Sequence, residues 1–415
     1  MKIKVLISTV LAITFLLIGN LFTGSAFAEG TAQALQTDQT AQTTQLVQAP
    51  KPIVVPDIKI IMDGEITKFD KVPLSVSNST LLPLRELLVK LGVPNDDEHI
   101  IYNGTEKSVT VWDGQTKIYL LINQKEAFVD DKPITLNAAP ILYQNSTYIP
   151  LRFVAEALNR KVIWDGSMKA AFICDESKYD SIKQLLDKSN EESAKVKKYK
   201  QETDFAGILE LEAGNTNFAG TSQLAVESKE KMMSMKTQIN IMGMSISSES
   251  YYYDNAMYIK DMVTSGWSKK IYKPEEYNKL FENKEYENLL TKAEVLCAGL
   301  NQVSDESADE IVLEGDVFLV DYFKKAIDEQ SLGFNQDTKQ EIKYNDFSLR
   351  ISLDKNNALI NSIEMYVKML QPATNAEAGA DTKMDMEFEI RFSEYDGDFV
   401  VSIPEEAVKN AVPVD

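Results

Sequence analysis

Histidine and cysteine, the side chains most often used for metal binding and nucleophilic catalysis, are almost absent from this sequence. Its 415 residues include one histidine, His99, and two cysteines, Cys174 and Cys297. These are too few for most zinc, haem or copper sites and for a histidine-based catalytic triad. No nucleotide-binding loop, Gly-x-Ser-x-Gly elbow, His-Glu-x-x-His helix or Ser-x-x-Lys nucleophile occurs in a suitable strand–helix context. We therefore predict a protein that is not an enzyme and uses no metal or cofactor.

Acidic side chains are the most abundant side chains that could take part in catalysis or bind a cation. The sequence has 63 Asp and Glu against 43 Lys and Arg, a formal net charge of -20. A surface this acidic repels phosphate backbones, so we predict no nucleic-acid partner. A hydrolase with two carboxylates remains an alternative, which needs two acids facing each other across a cleft with a raised pKa. The acidic run at residues 95–98, before His99, is contiguous and cannot easily converge on one ion, so it indicates a solvated loop.

Methionines and other apolar residues alternate with polar ones along four segments of the second half of the sequence. A period of two predicts antiparallel strands with one apolar and one solvated face. We expect the apolar face to line a ligand site through Met235, Ile239, Ile241, Met365, Val367, Met384, Met386 and Phe388. Flexible thioethers suit irregular apolar guests, but an ordinary core that uses methionine as filler has the same pattern. Copper(I) binding is disfavoured, because the methionines follow strands and do not surround one point.

The N-terminal residues have the features of an export signal. Lys2 and Lys4 precede an apolar run, and Ala26-Phe27-Ala28 supplies the small residues that a signal peptidase accepts. We predict a signal peptide at 1–28, with an uncleaved anchor as the alternative. Residues 29–56, rich in Thr, Gln, Ala and Pro, predict a disordered linker. With no cysteine near the cut and no C-terminal sorting motif, the expected product is secreted or extracellular and cell-wall-associated.

A twelve-residue motif occurs twice in the next part of the sequence. Residues 81–92 recur as residues 148–159. In each copy a proline, Pro83 or Pro150, opens a helix with one apolar stripe. Gly92 and Asn159 stand where a left-handed helix cap belongs. Strand-like runs follow each helix, so the motif predicts a duplicated strand and helix unit.

Arg85 and Arg152 lie in the first turn of these two helices, where the helix dipole disfavours a cation. The residues leave two interpretations open. Each guanidinium is a structural strut, hydrogen-bonded to carbonyls or a carboxylate of the neighbouring sheet. Alternatively, the pair marks a contact with an anion or a cell-wall polymer.

The duplicated segment resembles a known domain family. Its paired Pro-Leu-Arg helices are each followed by a strand that ends in an aromatic residue such as Trp164. This arrangement is similar to the copper amine oxidase N-terminal-like domain, also called the stalk domain, of secreted and wall-associated proteins of Gram-positive bacteria. The resemblance covers residues 57–174 and implies structural or contact roles for Pro83, Arg85, Pro150, Arg152 and Trp164. It implies no copper chemistry here, because the oxidases need three histidine ligands.

Residues 175–415 predict a second domain. An amphipathic helix over residues 175–201 precedes strands near 235–243, 347–353, 363–369 and 384–392, and helices over 274–298 and 317–329 interrupt the strands. The predicted class is α+β: the small duplicated domain, then a curved antiparallel sheet covered by helices. The tyrosine-rich run at 251–260, followed by Trp267, resembles the lipoprotein-carrier half barrel of LolA- and LppX-like proteins. That resemblance implies a lipid or acyl chain held between sheet and helices.

These patterns predict an exported, non-catalytic cell-envelope protein that holds or senses an apolar ligand in its C-terminal domain. The alternative is a structural or adhesive wall-associated protein without a small-molecule ligand. Expected partners are a lipid or other apolar ligand, a cell-wall polymer or an envelope protein. Export permits a disulfide between Cys174 and Cys297, but the sequence equally allows two separate buried thiols.

Overall fold

The structure is a computed structural model, of which we describe residues 51–211, 214–260, 266–282, 294–303, 309–317, 343–371 and 382–414. The predicted signal peptide and residues 29–50 of the predicted linker lie outside the described residues. So do residues 283–293 and 318–329 of the two predicted interrupting helices. Of the described residues, 59–67 and 161–414 form one compact unit, the large unit, and 51–58 and 68–160 form another, the small unit.

The first part of the chain folds into short strands and two short helices. The strands are β1 (Ile53–Val54), β2 (Lys59–Met62), β3 (Glu65–Ile66), β4 (Leu74–Val76), β5 (Ser79–Pro83), β6 (Ile100–Asn103), β7 (Ser108–Trp112), β8 (Lys117–Leu121), β9 (Glu126–Val129), β10 (Lys132–Thr135), β11 (Ile141–Tyr143), β12 (Ser146–Pro150), β13 (Arg160–Asp165) and β14 (Ala170–Asp175). The helices are α1 (Leu84–Lys90) and α2 (Leu151–Ala157). Strand β1 lies inside the range predicted as linker and pairs with β4.

The small unit contains two five-stranded sheets, in the orders β1-β4-β5-β12-β11 and β10-β9-β8-β7-β6. The two copies of the repeat meet in the first sheet, because β5 and β12 pair antiparallel with Leu82 opposite Ile149. Each repeat helix begins directly after its proline and ends near a residue in the left-handed region, Gly92 at φ 96 and Asn159 at φ 58. The local signals of the repeat therefore predicted these helices correctly.

The large unit begins with a four-stranded sheet in the order β13-β14-β2-β3, in which β14 runs parallel to β2. Helix α3 (Glu176–Lys195) follows, with its first turn capped by the Asp175 carboxylate. The sequence predicted this helix to continue to residue 201. It ends at Lys195 because alternating strand-forming residues, Tyr199, Thr203 and Phe205, begin the next strand.

A twelve-stranded sheet forms most of the large unit. Its strands are β15 (Lys198–Leu211), β16 (Gly214–Glu227), β17 (Met232–Ile241), β18 (Met244–Tyr253), β19 (Ala256–Lys260), β20 (Trp267–Ile271), β21 (Asn301–Gln302), β22 (Glu310–Gly315), β23 (Lys343–Asp354), β24 (Ile360–Gln371), β25 (Thr382–Ser393) and β26 (Val412–Pro413). In the described residues their order is β21-β22-β23-β24-β25-β15-β16-β17-β18-β19-β20-β26. All neighbours pair antiparallel except β20 and β26. The α+β class with a curled antiparallel half barrel is confirmed.

Three further helices belong to the large unit: α4 (Pro274–Glu282), α5 (Glu294–Gly299) and α6 (Glu405–Asn410). Helix α5 contacts α3 and β14, and burial of Leu296 and Cys297 fixes its position. Near β19 and β20, α6 places Ala407 in a cluster with Tyr251, Tyr258 and Trp267. The tyrosine-rich run therefore supplies packing residues at this edge of the sheet.

Backbone groups of the β2–β3 hairpin form hydrogen bonds with Asp316, at the end of β22, and with Asn301 on β21. The Gly64 carbonyl accepts a hydrogen bond from the Asp316 amide at 2.7 Å, and the Ile66 amide donates to the Asp316 carboxylate at 2.7 Å. The Asn301 side-chain amide donates to the Asp63 carbonyl at 2.5 Å. The predicted domain boundary between residues 174 and 175 stays a prediction. The large unit also includes strands that precede this boundary in the sequence.

Candidate ligand-binding site

One face of the twelve-stranded sheet is buried across at least six neighbouring strands. On β17 the buried residues are Met233, Met235, Thr237, Ile239 and Ile241, and each intervening residue is more exposed. The same alternation runs along β15, β16, β23, β24 and β25. We call this surface the buried face and its reverse the exposed face. Because partners in a ladder point to the same side, the register assigns every residue of these strands to one face.

All eight predicted lining residues lie on the buried face. Met365 stands opposite Phe388, and Val367 opposite Met386, on β24 and β25. Met384 is the next residue of that face on β25, and Met235, Ile239 and Ile241 are on β17. Six of the eight are buried, whereas Met365 and Met384 are half-buried. The structure thus brings these side chains to one side of one sheet, and their role as a ligand lining stays a prediction.

Strands β15 and β16 lie between the two groups of predicted residues and were not predicted from the sequence. They contribute two phenylalanines that pair across the strands with glycines: Phe205 with Gly220, and Phe218 with Gly207. Each phenyl ring occupies the space that a side chain at the opposite glycine would need. Glycine at these two positions therefore lets each ring lie over the neighbouring strand and extends the apolar surface.

The buried face also carries polar side chains, which the sequence patterns did not predict as a group. Thr203, Ser222 and Thr237 stand opposite one another on β15, β16 and β17, and Ser248 continues the row on β18. The Ser222 and Thr237 hydroxyls are 2.9 Å apart, and the Gln201 amide nitrogen donates to the Thr203 hydroxyl at 2.8 Å. The sequence did contain a pattern that could have identified this group. Counting back from Phe205 in steps of two residues places Thr203 and Gln201 on the same face of the strand.

The same row becomes apolar on the other half of the sheet. Thr203 stands opposite Ile390, which is followed across the strands by Ile363, Ile351 and Leu313. The buried face is therefore divided: hydroxyl and amide groups occur on β15 to β18, and branched aliphatic groups occupy the corresponding positions on β22 to β25. This division is the main chemical feature of the face.

Ion pairs across neighbouring strands cover the exposed face. Arg391 on β25 binds Asp204 and lies 2.7 Å from Glu389 and 3.7 Å from Glu202. Hydrogen bonds from Arg391 to Asp204 and Glu389 raise the pKa of the guanidinium further. Lys368 with Asp385 and Arg350 with Glu314 make similar pairs. A lattice of charges suits a solvated surface, and the residues predicted to line a ligand site are all on the other face.

Glu249 belongs to a second polar cluster, at the tyrosine-rich edge of the sheet. Burial acts to raise the pKa of Glu249, but hydrogen bonds donated by Tyr251 at 3.0 Å and Lys260 at 3.3 Å hold that pKa below its usual value. A lowered pKa in the folded state means that the charged carboxylate stabilises the fold. This contribution is complete above the ordinary glutamate pKa of 4.5 and is lost as the pH falls through the lowered value.

We expect Glu249→Gln to lower the free energy of unfolding by about 1 kcal/mol at pH 7, because the amide keeps the shape but loses the charge-assisted bonds. The difference from wild type should be smaller at pH 3, because the contribution of the charged carboxylate is progressively lost as the pH falls below the ordinary glutamate pKa of 4.5. Urea unfolding at the two pH values measures it, with Glu387→Gln on the exposed face of β25 as control. An equal difference at both pH values would contradict the assignment.

The arginines of the repeat make contacts on their own helices and loops. Arg85 donates to the Asn95 side chain at 2.8 Å and lies 4.0 Å from Asp97, so its described contacts are with the acidic loop rather than the sheet predicted for a strut. Arg152 lies 3.5 Å from Glu156, one turn along α2. Both side chains are about half exposed, at 48% and 54%. Contact with an anion or wall polymer stays a prediction.

The other repeat residues have structural positions. Pro83 and Pro150 are the residues directly before α1 and α2. The Trp164 side chain is exposed on β13.

In the acidic loop at residues 95–98, Asp96 accepts hydrogen bonds from the backbone amides of Glu98 and His99 and pairs with the His99 ring at 2.7 Å. These contacts, above all that with the His99 ring, lower the pKa of Asp96 and organise a surface turn.

Cys174 and Cys297 are both buried and form no disulfide in this structure, as one of the two sequence interpretations has them. Burial raises the pKa of Cys297 to about 11, so the thiol is protonated and unreactive at neutral pH. Among the described residues, no group of three or more His, Cys, Asp or Glu side chains could hold a metal ion. None of the helices in the described ranges is long and apolar enough to cross a membrane.

Comparison with known families assigns both parts of the chain. Residues 61–173 match the copper amine oxidase N-terminal domain, which confirms the resemblance carried by the repeat. Residues 181–412, more than half of the sequence, match DUF6612, a family of unknown function. The chain belongs to the DUF6612 family. No curated protein matches the sequence.

Similar solved structures come from several bacteria. LprF from Mycobacterium bovis is 10% identical, with 55% of this chain and 98% of that chain covered and a TM-score of 0.30. A putative outer membrane lipoprotein-sorting protein domain from Vibrio parahaemolyticus is 9% identical, with 56% and 97% covered and a TM-score of 0.20. A LolA superfamily protein from Nitrosomonas europaea is 10% identical, with 51% and 91% covered and a TM-score of 0.16. Similarities of this size give no information about ligand or activity.

Proposed function

We propose that this DUF6612 protein is an exported, non-catalytic cell-envelope protein that holds or senses an apolar ligand, such as a lipid or acyl chain, on the buried face. The observation that carries the proposal is the position of the methionine-rich residues. Side chains from β17, β24 and β25 share one face, joined by phenylalanines of β15 and β16. Flexible thioethers and flat rings adapt to an irregular hydrocarbon guest.

The proposal also covers the cellular location of the protein and the order of its domains along the chain. A cleaved signal at 1–28, a linker from residue 29 and a wall-associated stalk-like domain at 57–174 would position a half-barrel domain at the envelope of a Gram-positive cell. The acidic net charge of -20 and the ion-paired exposed face support a solvated location away from anionic lipid surfaces. Cell-wall polymer or an envelope protein remains the proposed partner of the stalk-like domain.

Native mass spectrometry tests the ligand directly. The chain from Glu29 onward, purified from its own secreted fraction, should carry an apolar molecule that organic extraction releases. Met365→Lys places a charge on the half-buried part of the lining and should reduce bound ligand at least tenfold. Tyr366→Lys is the matched control, because Tyr366 is the adjacent half-buried residue on the other face.

Peroxide footprinting gives a second readout that does not depend on a variant. Ligand should slow oxidation of the half-buried Met365 and Met384, whereas Met242, which is 60% exposed, should oxidise at the same rate with and without ligand. A ligand-free mass together with no uptake of a pyrene-labelled alkane would overturn the proposal. It would favour the structural or adhesive role.

A further inference from the structure

The polar half of the buried face leaves two atoms without a hydrogen-bond partner. Its members are Gln201, Thr203, Ser222, Thr237, Ser248 and Ser250. Within the described part of the chain, the Gln201 side-chain oxygen and the Ser250 hydroxyl find no partner, although these residues are only 2% and 7% exposed. Buried polar atoms normally have partners, and leaving one unpaired is costly. Two such atoms on one face therefore point to a ligand that pairs with them.

The register fixes where these atoms lie. Across the sheet, Gln201 is followed by Leu224, Met235 and Ser250, one on each of β15 to β18. The hydroxyls of Thr203, Ser222, Thr237 and Ser248 form the adjacent row. With neighbouring strands about 4.8 Å apart, the polar patch spans roughly 14 Å. A patch of this size fits the polar part of one lipid, beside the aliphatic positions of β22 to β25.

The charge of the patch limits the ligand class. No Asp, Glu, Lys, Arg or His occurs in the two rows that form the patch, the row from Gln201 to Ser250 and the row from Thr203 to Ser248. An anionic carboxylate or phosphate placed on this face would lose its hydration without gaining a cation, which costs several kcal/mol. Hydroxyl and amide groups, by contrast, bond well to uncharged oxygens. The patch therefore discriminates against charged head groups.

The pairing of Gln201 adds a requirement for a donor. Its amide nitrogen already donates to Thr203, so the remaining side-chain oxygen accepts a hydrogen bond. Ester carbonyls cannot supply one, whereas a hydroxyl can. Resting on the proposed function, we infer that this polar patch binds the uncharged, hydroxyl-bearing head of a neutral lipid of the diacylglycerol type. The ester carbonyls face the serine and threonine hydroxyls, and the acyl chains lie on the apolar half.

Three matched lipids test the inference on the full mature chain: 1,2-dioleoylglycerol, its 3-O-methyl ether and dioleoylphosphatidate. We expect dioleoylglycerol to bind at least tenfold more tightly than the ether, which lacks the donor, and than the charged phosphatidate. Gln201→Met keeps the side-chain volume and should remove the preference for the hydroxyl. Gln223→Met, on the exposed face of β16, is the control and should keep the preference.

A stability measurement separates binding from folding. Without ligand, Ser250→Ala should unfold at the same or a higher urea concentration than wild type, because it removes a buried hydroxyl without a partner. Equal affinity for dioleoylglycerol and its ether, or tightest binding of phosphatidate, would overturn the inference while alkane uptake preserves the proposed function. Failure to bind the alkane as well would overturn both.

Discussion

Replacing Gly315 by alanine should lower the free energy of unfolding of the large unit by about 3 kcal/mol. Gly315 ends β22 where three backbone segments converge, and a Cβ atom there would overlap the Gly299 carbonyl oxygen and lie 3.2 Å from the Gly64 carbonyl oxygen. Both obstacles are main-chain atoms. They cannot rotate away as a side chain would, so β22, the β2–β3 hairpin or the end of α5 must shift.

Urea unfolding followed by circular dichroism and tryptophan fluorescence measures this effect. Gly166→Ala is the matched control in the same unit, because a Cβ atom at Gly166 meets only Nε1 of Trp164 at 3.8 Å, an ordinary contact. It should stay within about 0.5 kcal/mol of wild type. If Gly315→Ala were as stable as the control, the close approach of the hairpin to β22 would be wrong.

This junction shows which features a sequence pattern can predict. The repeat helices depend on neighbouring residues alone: Pro83 and Pro150 before the first turn, and Gly92 and Asn159 after the last. Local chemistry of this kind is visible in the sequence. The parallel pairing of β14 with β2 joins residues more than a hundred positions apart, as Ala171 does with Ile60. No local pattern encodes that pairing.

The strands of the twelve-stranded sheet could also be predicted only in part from the sequence, but for a different reason. Strands β17, β23, β24 and β25 were predicted because apolar and polar residues alternate strictly along them. Strands β15 and β16 interrupt that alternation, since Gln201, Thr203 and Ser222 occupy buried positions and Gly207 and Gly220 stand opposite aromatic rings. The residues that concealed these strands are also those that give the face its polar half. The candidate site therefore includes the strands in which the sequence departs from strict alternation of apolar and polar residues.

The division of the face changes what the methionine-rich lining implies. An ordinary core would gain stability by replacing Thr203 and Thr237 with aliphatic residues, because hydroxyls add little to packing. The corresponding positions on β24 and β25, Ile363 and Ile390, are aliphatic. A role in ligand binding would explain the polar half, and the neutral-lipid proposal supplies one that the stability of ligand-free variants can contradict.

Placing a carboxylate on the buried face should have the other large effect. Ile239 is 0% exposed and stands opposite Gly220 and Ile246, so Ile239→Asp would bury a charge among apolar groups. We expect a loss of about 4 kcal/mol or more in the free energy of unfolding, enough to unfold many domains. Gln238→Asp, one residue earlier on the exposed face, should change it by less than about 0.5 kcal/mol.

The pair tests the register on which the site depends. Strand side chains alternate with a period of two, so a shift of one residue in β17 would exchange the faces of Gln238 and Ile239 and reverse the two results. Thermal unfolding of both variants, with circular dichroism to confirm the folded state of the control, is sufficient. A tolerant Ile239 beside an intolerant Gln238 would move Met235 and Ile241 to the solvated side. The proposed lipid-binding role of the buried face and the inference about its polar patch would then both lose their basis.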